Sequence, residues 1–456
     1  VLDNNFNREL KSILHYCLEY GIKNISFKLD SFNSIKNVDR RIEFGSKVHL
    51  GFMKAQNLII QNLIILGNKK LRTKDQIKEM MRQNKEKDII QKYEKNLDVI
   101  TYKEKILRKA ADTIAWQLFG NDITTIRRLY KDIPPVEIYN SNLKHDIEVV
   151  EGIFKSNNNT FPLITDITSF IQVGDLIVRE PDNPQIRIIE LKEGKVNEKI
   201  EEIIQDYADN QCERKLYYEL SGKDTKFQKQ FSRYVKQQSK ALKTANIINT
   251  GEGKDDVTGI DLKIINDVFY TQHYDGIISK MLEEVDKHNY SLRRIDECLV
   301  LGVYNTSKIP IHEGFEVWKK SMGIDFPTVN LISFINAPTA FPIFLHPFSI
   351  DDKVRLVNRD KTILISLDIK KWFNILEEKG LKVNLLTKKQ TAKLNNVPSQ
   401  LKSFEYNGQA IEIQYGEIKQ ILHDGIFERM FNQCVRPASL ADFIKYGLSH
   451  VENIDF

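Results

Sequence analysis

Apolar residues recur along this chain at two periods, and the change of period marks its organisation. Up to residue 135 the spacing is helical. Phe6, Leu10, Ile13, Leu14 and Cys17 share one helix face, as do Ile59, Ile60, Leu63 and Ile64. Residues 68–108 are dense in lysine with acids interspersed, the pattern of a solvated helical face with i,i+4 pairs. Residues 110–130 continue helically, and Pro134-Pro135 closes the region. Leu143, Ile147, Val150 and Phe154 then predict a short helix with one buried stripe. After it the period falls to two. Residues 163–171, 173–178 and 186–192 read as strands, the last two separated by Pro181, Asp182, Asn183 and Pro184, which is turn chemistry.

Helical spacing returns with Val196, Ile200, Ile203, Ile204 and Tyr207, and runs on to residues 217–220 before Gly222 breaks it. Residues 225–242 predict a further helix with Phe227, Phe231, Tyr234 and Leu242 along one side. Lys226, Lys229, Arg233, Lys236 and Lys240 decorate it, with no acid. Cations interleaved with aromatics suit a surface that follows a nucleic-acid backbone, and a merely solvated face is the competing reading. Residues 297–304 form a clear buried strand, expected as a fourth strand of the sheet begun at 163. Strands are expected at 328–336, 340–345, 354–357, 362–367, 383–386 and 411–414, with helices at 369–379 and 420–446.

At 456 residues the chain exceeds one ordinary core, so two or three domains are expected. A composition 41% hydrophobic and 28% charged is that of a globular chain. Runs such as 58–66 are too short and too polar to span a bilayer, and the polar opening Val1–Asn7 has no signal-peptide pattern. A cytoplasmic protein without a membrane partner is the expectation. Cys17, Cys212, Cys298 and Cys434 stand far apart, which favours reduced thiols over a zinc site. The net charge of +5 is compatible with nucleic acid without requiring it. The glycine-rich stretch 251–256 lacks the order of a phosphate-binding loop, so any ATP-driven step falls to a partner. His145-Asp146 and His423-Asp424 lack the further ligands of a metal phosphohydrolase, and no nucleophile elbow exists.

The polar residues inside the strands carry the chemistry. Asp175 interrupts one apolar run; Glu190 and Lys192 interrupt another. Side chains alternate along a strand, so Glu190 and Lys192 share a face, their bases roughly 7 Å apart. Apolar neighbours on both faces predict a central strand, where a carboxylate is costly unless paired or bound to a cation.

Gly174-Asp175-Leu176-Ile177 followed by Ile189-Glu190-Leu191-Lys192 resembles the signature of the PD-(D/E)xK nuclease superfamily, an Asp opening one strand of a hairpin and Glu-x-Lys on the next. The resemblance implies a restriction-endonuclease-like αβββαβ core within a mixed α/β chain. That core would span 136–304, with a helical insertion at about 205–290, between a helical N-terminal domain (1–135) and a C-terminal α/β lobe (305–456). It also implies Mg²⁺, with Mn²⁺ substituting, held by Asp175, Glu190 and the Leu191 carbonyl, with Lys192 beside the attacking water. Family members often add a metal-binding Glu on the helix before the first strand, which points to Glu151. Gln230 and Tyr234 match a Gln-x-x-x-Tyr pattern of RecB-like members, and with Lys229 and Arg233 they are the expected nucleic-acid contacts. The implied function is a metal-dependent nuclease acting on nucleic acid, with DNA the expected substrate. By analogy it is an effector of an anti-phage or mobile-element system, working with a partner that supplies ATPase or sensing function. The alternative is a catalytically silent nucleic-acid-binding or scaffolding subunit.

Overall fold

The computed structural model describes residues 2–27, 38–157, 159–181, 183, 185–192, 194–254, 261–263, 269–308, 311–396 and 403–451. The architecture mixes helices with several small antiparallel sheets, and the chain packs into two compact units. One is Ser12–Ile265; the other joins Val1–Lys11 to Asn266–Phe456. This division differs from boundaries at 135 and 304. No described helix is long and apolar enough to cross a membrane.

In the first unit, helices α1 (Asn4–Leu18, shared with the second unit), α2 (Tyr20–Lys23), α3 (Val38–Arg82), α4 (Lys87–Leu118) and α5 (Ile123–Leu129) precede helix α6 (Leu143–Ser156). Strands β1 (Phe161–Ile164), β2 (Leu176–Arg179) and β3 (Arg187–Ile189) follow, and then α7 (Lys195–Asn210), α8 (Glu213–Ser221) and α9 (Thr225–Thr250). A small ladder of β4 (Glu252–Lys254) with β5 (Asp261–Lys263) completes the unit. The end of the glycine-rich stretch, residues 255 and 256, lies outside the described residues.

The helices 1–135 do not stand apart as a domain, because α3 packs on α4 and also receives β1. Phe52 meets Phe161 with ring centroids 5.4 Å apart. The fully buried Gln56 closes the free edge of β1: its Nε2 donates to Pro162 O at 3.0 Å, and its Oε1 accepts from Ile164 N at 3.0 Å. Replacing it by leucine is expected to cost about 2–5 kcal/mol, since two buried backbone groups lose their partners. A urea titration of the purified variant measures this.

Three sequence expectations change here. The run 163–171 is not one strand. It ends at Ile164 and folds into a 3-10 turn, Thr165–Ile167, because Thr165 N and Oγ1 bond back to Asp175 O (3.0 Å) and Gly174 O (2.7 Å). Strand β3 is an edge rather than a centre, for the sheet order is β1-β2-β3 with both ladders antiparallel. Helix α9 lies against β3, which accounts for its apolar face. Finally, the expected fourth strand pairs elsewhere.

That strand belongs to the second unit. There α10 (Asp275–His288) packs on a sheet of β6 (Tyr290–Ile295), β7 (Leu299–Asn305), β8 (Val329–Asn330) and β9 (Lys361–Leu367), in the order β6-β7-β9-β8. Helix α11 (Ile311–Ser321) follows β7 and α12 (Ile350–Val357) precedes β9. Residues 354–357 are therefore helical rather than extended, and much of 331–345 forms 3-10 turns. Helix α13 (Ile369–Glu378), β10 (Lys382–Leu385), α14 (Lys388–Asn395), β11 (Glu405–Tyr406), β12 (Gln409–Tyr415), β13 (Ile418–Ile421), α15 (Asp424–Phe431) and α16 (Pro437–Val451) close the chain. Lys361 is buried here with its charge compensated by Asp352 Oδ1 at 2.6 Å and Asp286 Oδ2 at 3.0 Å. Its ammonium also donates to Leu282 O at 2.7 Å.

Candidate active site

The β2–β3 ladder opens with Leu176 opposite Ile189, so Asp175 and Glu190 each lie one residue beyond the same end of the hairpin. Backbone groups then tie the two carboxylates across the gap. Asp175 N donates to Ile189 O at 2.8 Å, Gly174 N to Glu190 Oε1 at 3.2 Å, and Leu191 N to Asp175 Oδ2 at 2.5 Å. Lys192 Nζ reaches Glu190 Oε2 at 3.1 Å, and the two side chains are only 15% and 10% exposed. An ion pair this screened from water interacts more strongly than a surface pair. Burial raises the Asp175 carboxyl from its ordinary value to about 6, with the Glu190 charge adding to it. The Leu191 N–H and the Lys192 ammonium act in the opposite direction.

Gly174 makes this approach possible. Its φ is +77°, and a Cβ there would stand 2.3 Å from Ile188 Cγ2 and 3.2 Å from Ile189 O. Gly174→Ala is expected to cost about 2–4 kcal/mol, from left-handed backbone strain and overpacking together. Denaturant midpoints of the two chains test it.

A third acid, unforeseen, acts on Asp175 through its charge. Asp166, in the turn after β1, also raises the Asp175 carboxyl by its charge and accepts from Ser141 Oγ. Its turn is held from α4. The buried Arg108 guanidinium donates to Asp166 O (2.6 Å), Thr168 O (3.0 Å) and Val136 O (2.6 Å), and Arg108 Nε pairs with Glu104 Oε1 at 3.1 Å. One turn on, the fully buried Asp112 accepts from Ser169 N at 2.7 Å and pairs with Lys109 at 3.0 Å. The signal available in the sequence was the polar cluster Thr165, Asp166, Thr168 and Ser169 inside an otherwise apolar run.

Glu151 is not gathered with these groups. It lies on an exposed face of α6, 59% exposed and paired with Lys155 Nζ at 3.2 Å. Among the described residues no three His, Cys, Asp or Glu side chains converge closely enough to hold a metal ion between them. The protein donors available at the hairpin end are therefore two carboxylates, with the Leu191 backbone beside them.

Helix α9 lies against β3, and α7 lies against α9. Gln230 Nε2 donates to Asn197 Oδ1 at 3.0 Å, and Tyr234 OH to Glu201 Oε1 at 2.8 Å, so both side chains face α7. Burial, then the hydrogen bond to Glu201, pushes the Tyr234 phenol up to about 12, and the Glu190 charge contributes. Tyr234 is thus within electrostatic reach of the carboxylate pair. Lys229 and Arg233 point elsewhere, into a shallow exposed groove on α9.

No family model, curated protein or solved structure matches this chain. The functional reading therefore rests on the residues and their geometry.

Proposed function

We propose that the chain is a metal-dependent nuclease of PD-(D/E)xK type whose active site is Asp175, Glu190 and Lys192. The observation that carries this reading is the meeting of two carboxylates and an ammonium at one end of a hairpin, with the Asp175 carboxyl held near 6 by burial and by Glu190. Such mutual repulsion is relieved by a cation. Mg²⁺ needs only one or two carboxylates, because it keeps several waters and takes further oxygens from a phosphate. Asp175 and Glu190, with the Leu191 carbonyl, would hold that ion, and Glu151 is not needed. When bound, it supplies charge neutralisation on the phosphodiester and a more acidic water.

The side chains do the rest. Glu190 holds Lys192 at the carboxylate pair, where the ammonium hydrogen-bonds the incoming water or the phosphate oxygen that gains charge. Glu190 Oε1 and the Leu191 N–H fix the two acids against the hairpin backbone, so the site is preorganised. Asp166 adds negative charge that favours a cation over an anion beside Asp175. DNA is the proposed substrate, and a defence or mobile-element role with an ATPase or sensor partner extends the same reading by analogy.

The test is cleavage of labelled DNA and RNA, single- and double-stranded, with Mg²⁺ or Mn²⁺, by the parent chain and by Glu190→Gln and Lys192→Ala. Activity that survives both changes overturns the assignment. Binding without any cleavage by the parent supports instead a silent subunit in which the Glu190–Lys192 pair is structural.

A further inference from the structure

Helix α9 separates its aromatics from its cations. At about 100° per residue, Lys229, Arg233, Lys236 and Lys240 fall within roughly 60° of arc, while Phe227, Phe231 and Tyr234 lie on average about 150° round the helix from them. The four cations with Ser232 and Gln237 line one shallow groove. Among the described residues none of the four forms an ion pair, and α9 contains no acid. Other faces of the helix are committed: Gln230 and Tyr234 bond to α7, and Ala241 is buried. The cationic flank is thus a fixed rail about 16 Å long from Lys229 to Lys240, taking 1.5 Å of rise per residue.

We propose that this flank seats the phosphate backbone of a double-stranded nucleic acid. The inference rests on the nuclease reading and names the form of its substrate. Surfaces for single strands combine cations with aromatic faces on which bases stack. The groove on α9 offers cations, a hydroxyl and an amide but no aromatic, so it contacts backbone and leaves bases paired. Four uncompensated charges in one row match a polyanion whose charges are evenly spaced, and no hydrogen-bonding pattern there reads sequence. Binding through it is therefore sequence-independent and strongly salt-dependent. The exposed aromatics nearest in sequence, Tyr217 and Tyr218, are on α8 and supply the rival, single-strand reading.

Affinity for a short DNA duplex, its RNA counterpart and the single strand is measured by fluorescence anisotropy over a range of salt. Glu190→Gln is used without divalent ions, so that nothing is cut. The duplex is expected to bind more tightly than the single strand. Lys236→Glu with Lys240→Glu weakens it at least ~10-fold, and the salt slope falls by about 0.9 for each phosphate no longer neutralised. Adding Lys229→Glu and Arg233→Glu removes the remainder. Glutamate is as good a helix former as lysine, so α9 persists, and circular dichroism verifies it. DNA and RNA duplexes binding alike points to backbone recognition alone, and a preference for one names the source without moving the site. Duplex affinity indifferent to all four reversals overturns the proposal. So does tighter binding of the single strand that disappears in Tyr217→Ala with Tyr218→Ala. Cleavage of duplex by the parent, with duplex affinity unchanged by the α9 reversals, sinks this inference alone. One that binds duplex through α9 yet never cuts sinks the catalytic reading alone.

Discussion

Glu190→Gln is expected to slow phosphodiester cleavage at least ~10²-fold, with Asp175→Asn and Lys192→Ala doing the same. The three substitutions remove different things. Glutamine at 190 keeps the side chain's shape and can still accept from Gly174 N, but it loses the charge opposite Lys192. Asparagine at 175 can likewise accept from Leu191 N and gives up only the charge. Alanine at 192 leaves the hairpin backbone alone and removes the ammonium paired with Glu190. Because the groups act as one unit, pairs of these substitutions should cost little more than the worst single one. Glu151→Gln is the matched control: the same chemical change on a solvated helix face leaves the rate as it was. Gel-resolved cleavage under single-turnover conditions measures all four. A loss in Glu151→Gln equal to that in Glu190→Gln would show that the hairpin end is not the site.

The two acids and the lysine were legible in the sequence because everything that brings them together is local. A turn rich in Pro and Asn, two short apolar runs and a left-handed glycine lie within 174–192, and strand alternation does the rest. Asp166 was not legible for the opposite reason. Its position depends on a chain reversal stapled by Thr165 and on a guanidinium 58 residues upstream, and neither leaves a periodic trace. Glu151 stands apart by a rotation. It follows Val150, which is buried, and one residue along a helix turns a side chain by about 100°, out of the unit's core and into solvent. In α9, likewise, cations and aromatics that interleave in sequence occupy different faces.

Strand pairing was the least legible level. Residues 299–305 read correctly as a buried strand, yet nothing within them says that β6 and β9 are their partners rather than β1–β3. Strands β7 and β9 pair across some sixty residues of chain, so the partner is set by tertiary packing rather than by the strand's own composition. The apolar character of β3 had a similar origin. A covering helix gives an edge strand the composition of a central one, and sequence alone does not separate the two.

Asp175→Asn should also make the protein more stable at pH 8 while disabling it. The Asp175 carboxyl titrates at about 6 in the folded chain against an ordinary 3.8. A carboxyl raised on folding favours the folded state when protonated. Its contribution is complete below pH 4 and is lost as pH rises through about 6. At pH 8 the ionised group therefore costs up to about 3 kcal/mol, two units at about 1.4 kcal/mol each, less whatever solvent screening returns to a half-buried group. Asparagine carries no such cost at any pH. The variant should unfold at higher urea than the parent at pH 8, by a margin that shrinks from pH 7 to 5 and closes near pH 4. Added Mg²⁺ should raise the parent's midpoint at pH 8 by mass action and the variant's far less, because the ion answers the repulsion that asparagine has already removed. This reads the site without reference to turnover. If parent and variant respond to pH and Mg²⁺ identically, Asp175 is an ordinary solvated carboxylate and the hairpin end has no claim to a cation.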